Sequence, residues 1–452
     1  MRERNTIVVG AGIAGLYTAL QIAKRGDRVT VVDAEPSVGG LTRPWEIGGV
    51  TWDRFYHVVL GSDIETRRLL REIGMEDRLV FKPVKTNFYL EGQRYPFSSV
   101  LDLLTFPELS ILGKLRLVAT VLHARYSGND AAYEWEGVLE YLTRWSGAGT
   151  VERIWRPLLR AKLGEHHAMA SAAFIRATIK RLQGARRGGF REERYGYVRG
   201  GYAAVLAALE AHLRGLGVEF VLGHRVKQVF VHDEQVIVTL AGAELVADRA
   251  VLTVASPLCV ALCPQLTPSE QRALTQDRYF GVVCTSLLVN RRLGDAYVTN
   301  VADAGFPFTG IINMGALVDR AEFHGCDLVY LPKYAPPDEK AFTQSDDVLI
   351  ARSVQGLRRV FPAFSPRDVV AARVARASHV FPFPRIGRAA TLPPATTSLR
   401  RVAVVNSARL RYATLNVSDT IGVVDEALAE LEQSPTWRNV REARGRALAG
   451  SR

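Results

Sequence analysis

The chain opens on a glycine turn held between two apolar strands, Thr6-Ile-Val-Val-Gly-Ala-Gly-Ile-Ala-Gly15 and then Val29-Thr-Val-Val-Asp33. A run such as Thr6 to Val9 reads as a parallel strand buried on both faces. Gly10 permits the turn, Gly12 lets the backbone approach a pyrophosphate, and Gly15 lets the next helix pack on the sheet. The helix expected from about Ile13 to Arg25 aims its first N–H groups at phosphates. Asp33 closes the second strand, where a carboxylate accepts both hydroxyls of an adenosine ribose. Strand, turn, helix and acid together predict a dinucleotide-binding unit.

With 452 residues, 48% of them hydrophobic and 23% charged, the chain has room for two domains or one elaborated domain. Its formal net charge of +12 is concentrated partly in Lys180 to Arg194 and partly in the tail. No nucleic-acid motif accompanies that charge, so the readings are a solvated basic surface or attraction to an anionic membrane surface. Cys259, Cys263, Cys284 and Cys326 form no C-x-x-C pair and are expected as free thiols in a reducing cytoplasm. The histidines have no metal-ligand spacing. The N-terminal apolar run is the nucleotide-binding strand and helix rather than a signal peptide, and no charge-free apolar stretch is long enough to span a bilayer. The expected location is cytoplasmic, with peripheral membrane association left open and no sign of oligomeric state.

Past Asp33 comes a second glycine pair, Gly39-Gly40, in a loop suited to passing close to another part of the ligand. An aromatic run, Trp52-Asp-Arg-Phe-Tyr-His57, follows. Residues from about Asn87 to Arg194 read as mostly helical. Within them the leucine-rich stretch Val100 to Leu122 suits a buried cap helix, a tunnel wall or a membrane-docking segment. Short strands are expected over 218–222, 226–231, 236–240, 279–289 and 402–406, a buried strand ending in a loop over 250–257, and a helix near 346–360. Asn416 or Ser418 caps a last helix reaching Leu431. The tail after Ser434 is expected to be frayed.

This order of signals resembles the superfamily of FAD-dependent amine oxidases, protoporphyrinogen oxidases and phytoene desaturases. The resemblance rests on Gly10-x-Gly12-x-x-Gly15, Asp33, Gly39-Gly40, the Gly200-Gly201 turn and the strand–loop–helix from Val402 to Ala429. The blocks Trp155-Arg-Pro-Leu-Leu, Ala161-Lys-Leu-Gly-Glu165 and Gly196-Tyr-Val-Arg-Gly-Gly201 look like a bacterial, protoporphyrinogen-oxidase-like branch of FAD-dependent oxidoreductases. It implies a two-domain α/β protein, a Rossmann-like FAD-binding domain with an inserted α+β substrate domain. The FAD domain would comprise 1–85, 195–256 and 399–433, the mostly helical cap 86–194, the sheet-plus-helix substrate region 257–398, and the basic tail 434–452.

The resemblance also implies roles. Gly10, Gly12, Ala14 and Gly15 would cradle the pyrophosphate, and Asp33 the ribose. Gly39, Gly40, Leu41 and Thr42 would run along the ribityl chain and flavin. Val226 would meet the adenine through its backbone, and Asn406, Asn416 and Val417 would lie near the pyrophosphate and the flavin O2 edge. Three departures stand out. Leu41 occupies the place where many members have arginine, with Arg43 two residues on. The strand Tyr279 to Val289 lacks the lysine that amine oxidases hold near flavin N5. Tyr412-Ala-Thr-Leu-Asn-Val-Ser418 replaces the C-terminal glycine-rich motif, without a cysteine for a covalent link, so the FAD is expected to be noncovalent.

His57, in the segment expected beside the flavin, is the candidate acid or base, its alternative being a structural histidine. Tyr56 and Tyr412 are further catalytic candidates. Arg54, Arg156 and Arg199 are candidates for an anionic substrate group, with salt-bridged roles as the alternative, and the same choice applies to Lys162. The expected partner is a small apolar or amphipathic substrate, and nucleic acid is not expected. Three functions are compatible with these residues. The first is hydride transfer on a hydrophobic intermediate such as an isoprenoid or a tetrapyrrole. The second is a mutase of the UDP-galactopyranose type using reduced FAD, and the third a non-catalytic binding protein resembling the GDI proteins.

Overall fold

The structure, a computed structural model, describes residues 4–184, 192–412, 415–435 and 437. Most of the basic tail, and 185–191 of the basic stretch before Arg194, lie outside the described residues.

The glycine turn sits where its sequence places it. Strand β1 (Asn5–Val9), helix α1 (Ile13–Ala23) and strand β2 (Arg28–Asp33) form a parallel unit with Thr6 opposite Val29 and Val9 opposite Val32. Three distant segments complete a five-stranded parallel sheet: Glu219–Leu222 beside β2, Arg249–Leu252 beside β1, and Val402–Val404 at the far edge. Helices α1, Gly201–Gly215 and Val417–Gln433 cover one face through Leu16, Leu20, Leu209, Val424 and Leu428. A three-stranded antiparallel sheet covers the other through Val229, Val236 and Val238. Burial on both faces is why these strands are apolar at successive positions. Their carboxyl ends share one edge, the place where open α/β sheets bind ligands.

A seven-stranded mixed sheet forms the second region, in the order Val369–Pro382, Tyr279–Val289, Asp327–Ala335, Gly310–Asn313, Ala296–Val301, Lys85–Leu90 and Gln93–Pro96. The helix Asp346–Val360 packs on one face, and the cap helices, among them Val138–Ser146, Arg156–Leu163 and Ala172–Gly184, pack on the other.

Three expectations change. Residues 87–96, expected within a helical region, form a hairpin whose two turn residues, Glu91 and Gly92, both have positive φ. That pairing fits the tight turn of a two-residue hairpin. The leucine-rich stretch is broken around Pro107 into helices Val100–Thr105 and Ile111–Tyr126, and it is buried on one side only: Phe106, Leu109 and Leu117 join the core, while Leu101, Leu104, Ile111, Leu112 and Leu115 are all more than half exposed. In the tail, Trp437 is docked, its ring under the Arg249 guanidinium and its carbonyl accepting from Arg249 at 2.8 Å.

Candidate active site

Two glycine turns clasp each other at the carboxyl edge of the parallel sheet. The Gly39 N–H donates to the Ala11 carbonyl at 2.7 Å. A Cβ on Gly40 would lie 3.0 Å from the Gly12 Cα, and one on Gly15 only 1.8 Å from the Gly10 carbonyl oxygen. Gly10 and Gly39 hold φ of +109° and +124°, conformations that side-chain-bearing residues rarely adopt. Gly12 begins α1 without any side-chain cap, so the first N–H groups of that helix keep their donors for a ligand.

Asp33 stands at the rim of this cradle. One carboxylate oxygen accepts the Ala11 N–H at 2.6 Å and the other the Glu35 N–H at 2.8 Å. Each retains a lone pair for a ribose hydroxyl. The segment after Glu219–Leu222 is laced to the same place, with His224 N–H on the Asp33 carbonyl and Gly223 N–H on that of Glu35. Val226 follows, buried, in a loop two residues ahead of the strand Gln228–His232.

Arg54 lies beside the second glycine turn rather than with the other two candidate arginines. Its guanidinium donates to the Gly40 carbonyl at 3.1 Å, while its Nε is buried without a partner. Burial, and after it the nearby Arg43 cation, push its pKa down. A desolvated guanidinium with an unsatisfied donor at a phosphate-binding turn fits an anionic cofactor. Arg156 is held by Glu152 through two bonds of 2.7 Å each, and Arg199 is exposed. No hydrogen bond joins these three arginines among the described residues.

The segment after Trp52 diverges. Asp53, buried, accepts the Tyr202 N–H at 2.7 Å, and its backbone carbonyl accepts the Tyr330 hydroxyl. His57 turns the same way: its Nδ1 is 3.6 Å from the Asp53 carboxylate, beyond hydrogen-bond reach, and its ring lies 5.0 Å from that of Tyr202. It lines a small cavity with Trp52, Val198 and Gly201. Tyr56 turns instead toward the seven-stranded sheet and meets Tyr334 hydroxyl to hydroxyl at 2.8 Å. Burial pushes the Tyr56 phenol up to about 12 and raises Tyr334, Tyr330 and Tyr297 well above the ordinary phenol value, so all four are neutral at physiological pH.

Tyr330 and Tyr334 were not foreseen. The signal was the strand period: four apart on Asp327–Ala335, they share one sheet face, while Lys333 between them points to the other and pairs with Glu339. Above them, Lys162 from the cap helix Arg156–Leu163 places its ammonium 3.8 Å from the centre of the Tyr334 ring.

The C-terminal candidates are tied into the protein. Asn406 donates to the Val254 carbonyl at 2.7 Å and accepts the Ala408 N–H at 2.9 Å. Asn416 caps the helix Val417–Gln433 by accepting the Asp419 N–H, and Val417 packs against the helical core. Tyr412 borders the cap near Asp130 and Glu134; burial first, then those two charges, raise its pKa. Residues 413 and 414 are outside the described residues. The cysteines are free, three of them buried, and no metal-ligating cluster occurs among the described residues.

A profile of the family described as flavin containing amine oxidoreductase matches residues 13–428. The chain belongs to that family. It is an FAD-dependent oxidoreductase, and the cradle just described fits FAD. Among curated relatives, 15-cis-phytoene desaturase of Narcissus pseudonarcissus is 23% identical, the match covering 84% of this chain and 70% of that protein. Hydroxysqualene dehydroxylase of Sinorhizobium fredii is 28% identical over 61% of this chain and 68% of the relative. Protoporphyrinogen oxidase 2 of Arabidopsis thaliana is 28% identical, but only over 34% of this chain and 32% of that protein. Of solved structures, a putative protoporphyrinogen oxidase from Exiguobacterium sp. superposes with a TM-score of 0.75 at 18% identity, covering 96% of this chain and 100% of that one. A reduced UDP-galactopyranose mutase gives 0.72 at 16%, covering 96% and 98%. At these identities the superpositions establish the fold alone.

Proposed function

We propose that this protein transfers a hydride between FAD and a hydrophobic biosynthetic intermediate of isoprenoid or tetrapyrrole type. Bound noncovalently at the glycine cradle, FAD supplies the two-electron acceptor or donor. Gly10, Gly12, Ala14 and Gly15 hold its pyrophosphate with Arg54, Asp33 its ribose, and residues 39–42 its ribityl side. The observation that carries the substrate class is the phenol-lined sheet face. Tyr56, Tyr297, Tyr330 and Tyr334 are neutral there, beside Phe381 and Cys284, and the carboxylate that acts on Tyr297 and Tyr330, that of Asp53, is buried and engaged by the Tyr202 N–H. The relatives named for phytoene, hydroxysqualene and protoporphyrinogen agree with an apolar substrate. Tyr56, held by Tyr334, is the group on this face that positions the reacting carbon or passes it a proton. His57, facing Tyr202, orders the segment that carries Tyr56.

Such a substrate resides in lipid, and the helix Ile111–Tyr126 supplies a docking surface. It exposes Ile111, Leu112 and Leu115, carries Lys114, Arg116 and Arg125, and contains no acid. Apolar wedge and cations together suit an anionic bilayer surface.

The deciding experiment mixes the oxidised, FAD-loaded protein anaerobically with phytoene, protoporphyrinogen and a set of primary amines. Bleaching of the flavin by a compound from the first group alone supports the proposal. Bleaching by amines alone overturns it. Turnover of a sugar nucleotide that needs prereduced flavin and consumes no oxidant would install the mutase reading.

A further inference from the structure

Among the described residues Lys162 is the cation set on the phenol-lined face, held against rings rather than an acid. Its ammonium lies 3.8 Å from the Tyr334 ring centre and 5.1 Å from that of Phe381. Four other lysines meet acids, Lys24 with Glu72, Lys85 with Asp295, Lys180 with Asp130 and Lys333 with Glu339, while Lys82 also lies over a ring, 5.5 Å from the centre of that of Tyr197. Lys162 has no carboxylate partner among the described residues. Aromatic faces attract a cation but do not neutralise it, and a desolvated charge calls for a counter-ion. Arg156, six residues nearer the start of the same helix, already has its carboxylate in Glu152.

We infer that Lys162 is the counter-ion for an anionic head, a carboxylate or a phosphate, carried by the hydrophobic substrate. The substrate is then amphipathic: its apolar body lies along the sheet face and its anion meets the cap. This rests on that face being the substrate side, as proposed above. The same ammonium repels a protonated amine, which separates this site from one built for amines.

The groups around Lys162 make the idea measurable. Tyr334 on Asp327–Ala335, Tyr56 behind it, Cys284 on Tyr279–Val289 and Arg181 on Ala172–Gly184 are the titratable or charged neighbours. Burial raises the Tyr56 phenol and the Cys284 thiol to about 12 each and lifts Tyr334 well above the ordinary phenol value. Arg181 is paired with Asp63 at 3.0 Å. Burial, with Arg181 second, pushes Lys162 down to about 8. Lys162 is therefore the group in this cluster that changes charge between neutral and mildly alkaline pH. It is cationic at neutrality, and an anion bound beside it favours the protonated form.

The test is calorimetric titration of the FAD-loaded protein with decanoate, decyl phosphate and decanol at about pH 7 and about pH 9.5. The expected result is that either anion binds about tenfold or more tightly than decanol at the lower pH, and that the advantage collapses at the higher. Near pH 8, heats measured in buffers of different ionisation enthalpy should reveal proton uptake on anion binding. K162M should bind all three probes alike, and K162R should keep the anion preference at both pH values. Retention of the flavin spectrum certifies that each variant is folded. A preference for decanoate alone or decyl phosphate alone, lost in K162M, identifies the head as carboxylate or phosphate. Equal binding of decanol and both anions to the native protein, or an anion preference that survives K162M, overturns the role of Lys162 and leaves the apolar site standing. Binding of none of the probes overturns both.

Discussion

The Asp53 carboxylate accepts the backbone N–H of Tyr202 at 2.7 Å across 149 residues of sequence. A buried anion thus sits at the start of the helix Gly201–Gly215, where backbone N–H groups lack partners and the helix dipole favours negative charge. The Gly200-Gly201 turn makes room for it: a Cβ on Gly201 would stand 2.9 Å from that carboxylate oxygen. D53N should cost about 1–2 kcal/mol of stability, and D53A about 2–4 kcal/mol because the N–H is left buried and unpaired. Denaturant melts of the two variants check the order, and a D53A protein as stable as the parent would remove the carboxylate from this role.

The clasp between the glycine turns separates folding from cofactor binding. At Gly15 an added methyl collides with the Gly10 carbonyl at 1.8 Å, so G15A should give little folded protein. At Gly40 the contact with Gly12 is 3.0 Å and φ is +55°, so G40A should fold with a strain of about 1–2 kcal/mol. It should nevertheless hold FAD at least about tenfold more weakly, a loss near 1.4 kcal/mol. The flavin-to-protein ratio after dialysis, beside the melting temperature, distinguishes the two effects.

His167 is built in as a neutral ring. Its Nδ1 donates to the Gly164 carbonyl at 3.0 Å, and its Nε2 faces the Arg156 guanidinium at 3.3 Å as an acceptor. Burial foremost, and the neighbouring arginines after it, hold its pKa below the ordinary histidine value of 6.5. Below that value the unfolded chain binds a proton that the folded one resists, so stability falls as the pH drops through 6.5 toward the depressed folded value. The Tm difference between the parent and H167Q should therefore narrow as pH falls from about 7 to about 5. A difference that is constant with pH contradicts the neutral-ring assignment.

The exposed face of Ile111–Tyr126 predicts flotation with vesicles of mixed phosphatidylglycerol and phosphatidylcholine, weaker with pure phosphatidylcholine. The double variant L112E/L115E should lose flotation while keeping its unfolding free energy within about 0.5 kcal/mol of the parent, since both side chains already face solvent. Unchanged flotation would remove this helix as the docking surface.

Much of the cofactor half was legible because its constraints are local. Gly10 to Asp33 carry their own periodicity, and Tyr279–Val289 and Asp346–Val360 have the limits that the sequence suggested. The substrate half depends on distant pairing. Nothing near Tyr56 announces Tyr334, which is 278 residues away, and an ordinary-looking Lys162 acquires meaning only over that ring. Helical periodicity likewise concealed the hairpin at Glu91-Gly92, whose turn lacks the usual asparagine or aspartate. The leucines of Ile111–Tyr126 declared their hydrophobicity but not whether protein or solvent would cover it.

The parallel sheet takes its last strand from Val402–Val404 and one of its covering helices from Val417–Gln433. Synthesis from the amino terminus therefore delivers the glycine turn first and its supporting wall last. During translation β1 and β2 each wait with an outer edge bare, and the cap emerges before the layer that will anchor it. Pairing across such separations is slow, and unpaired apolar strands aggregate meanwhile. The order of synthesis therefore predicts that chaperone and FAD supplied during translation raise the yield of folded protein.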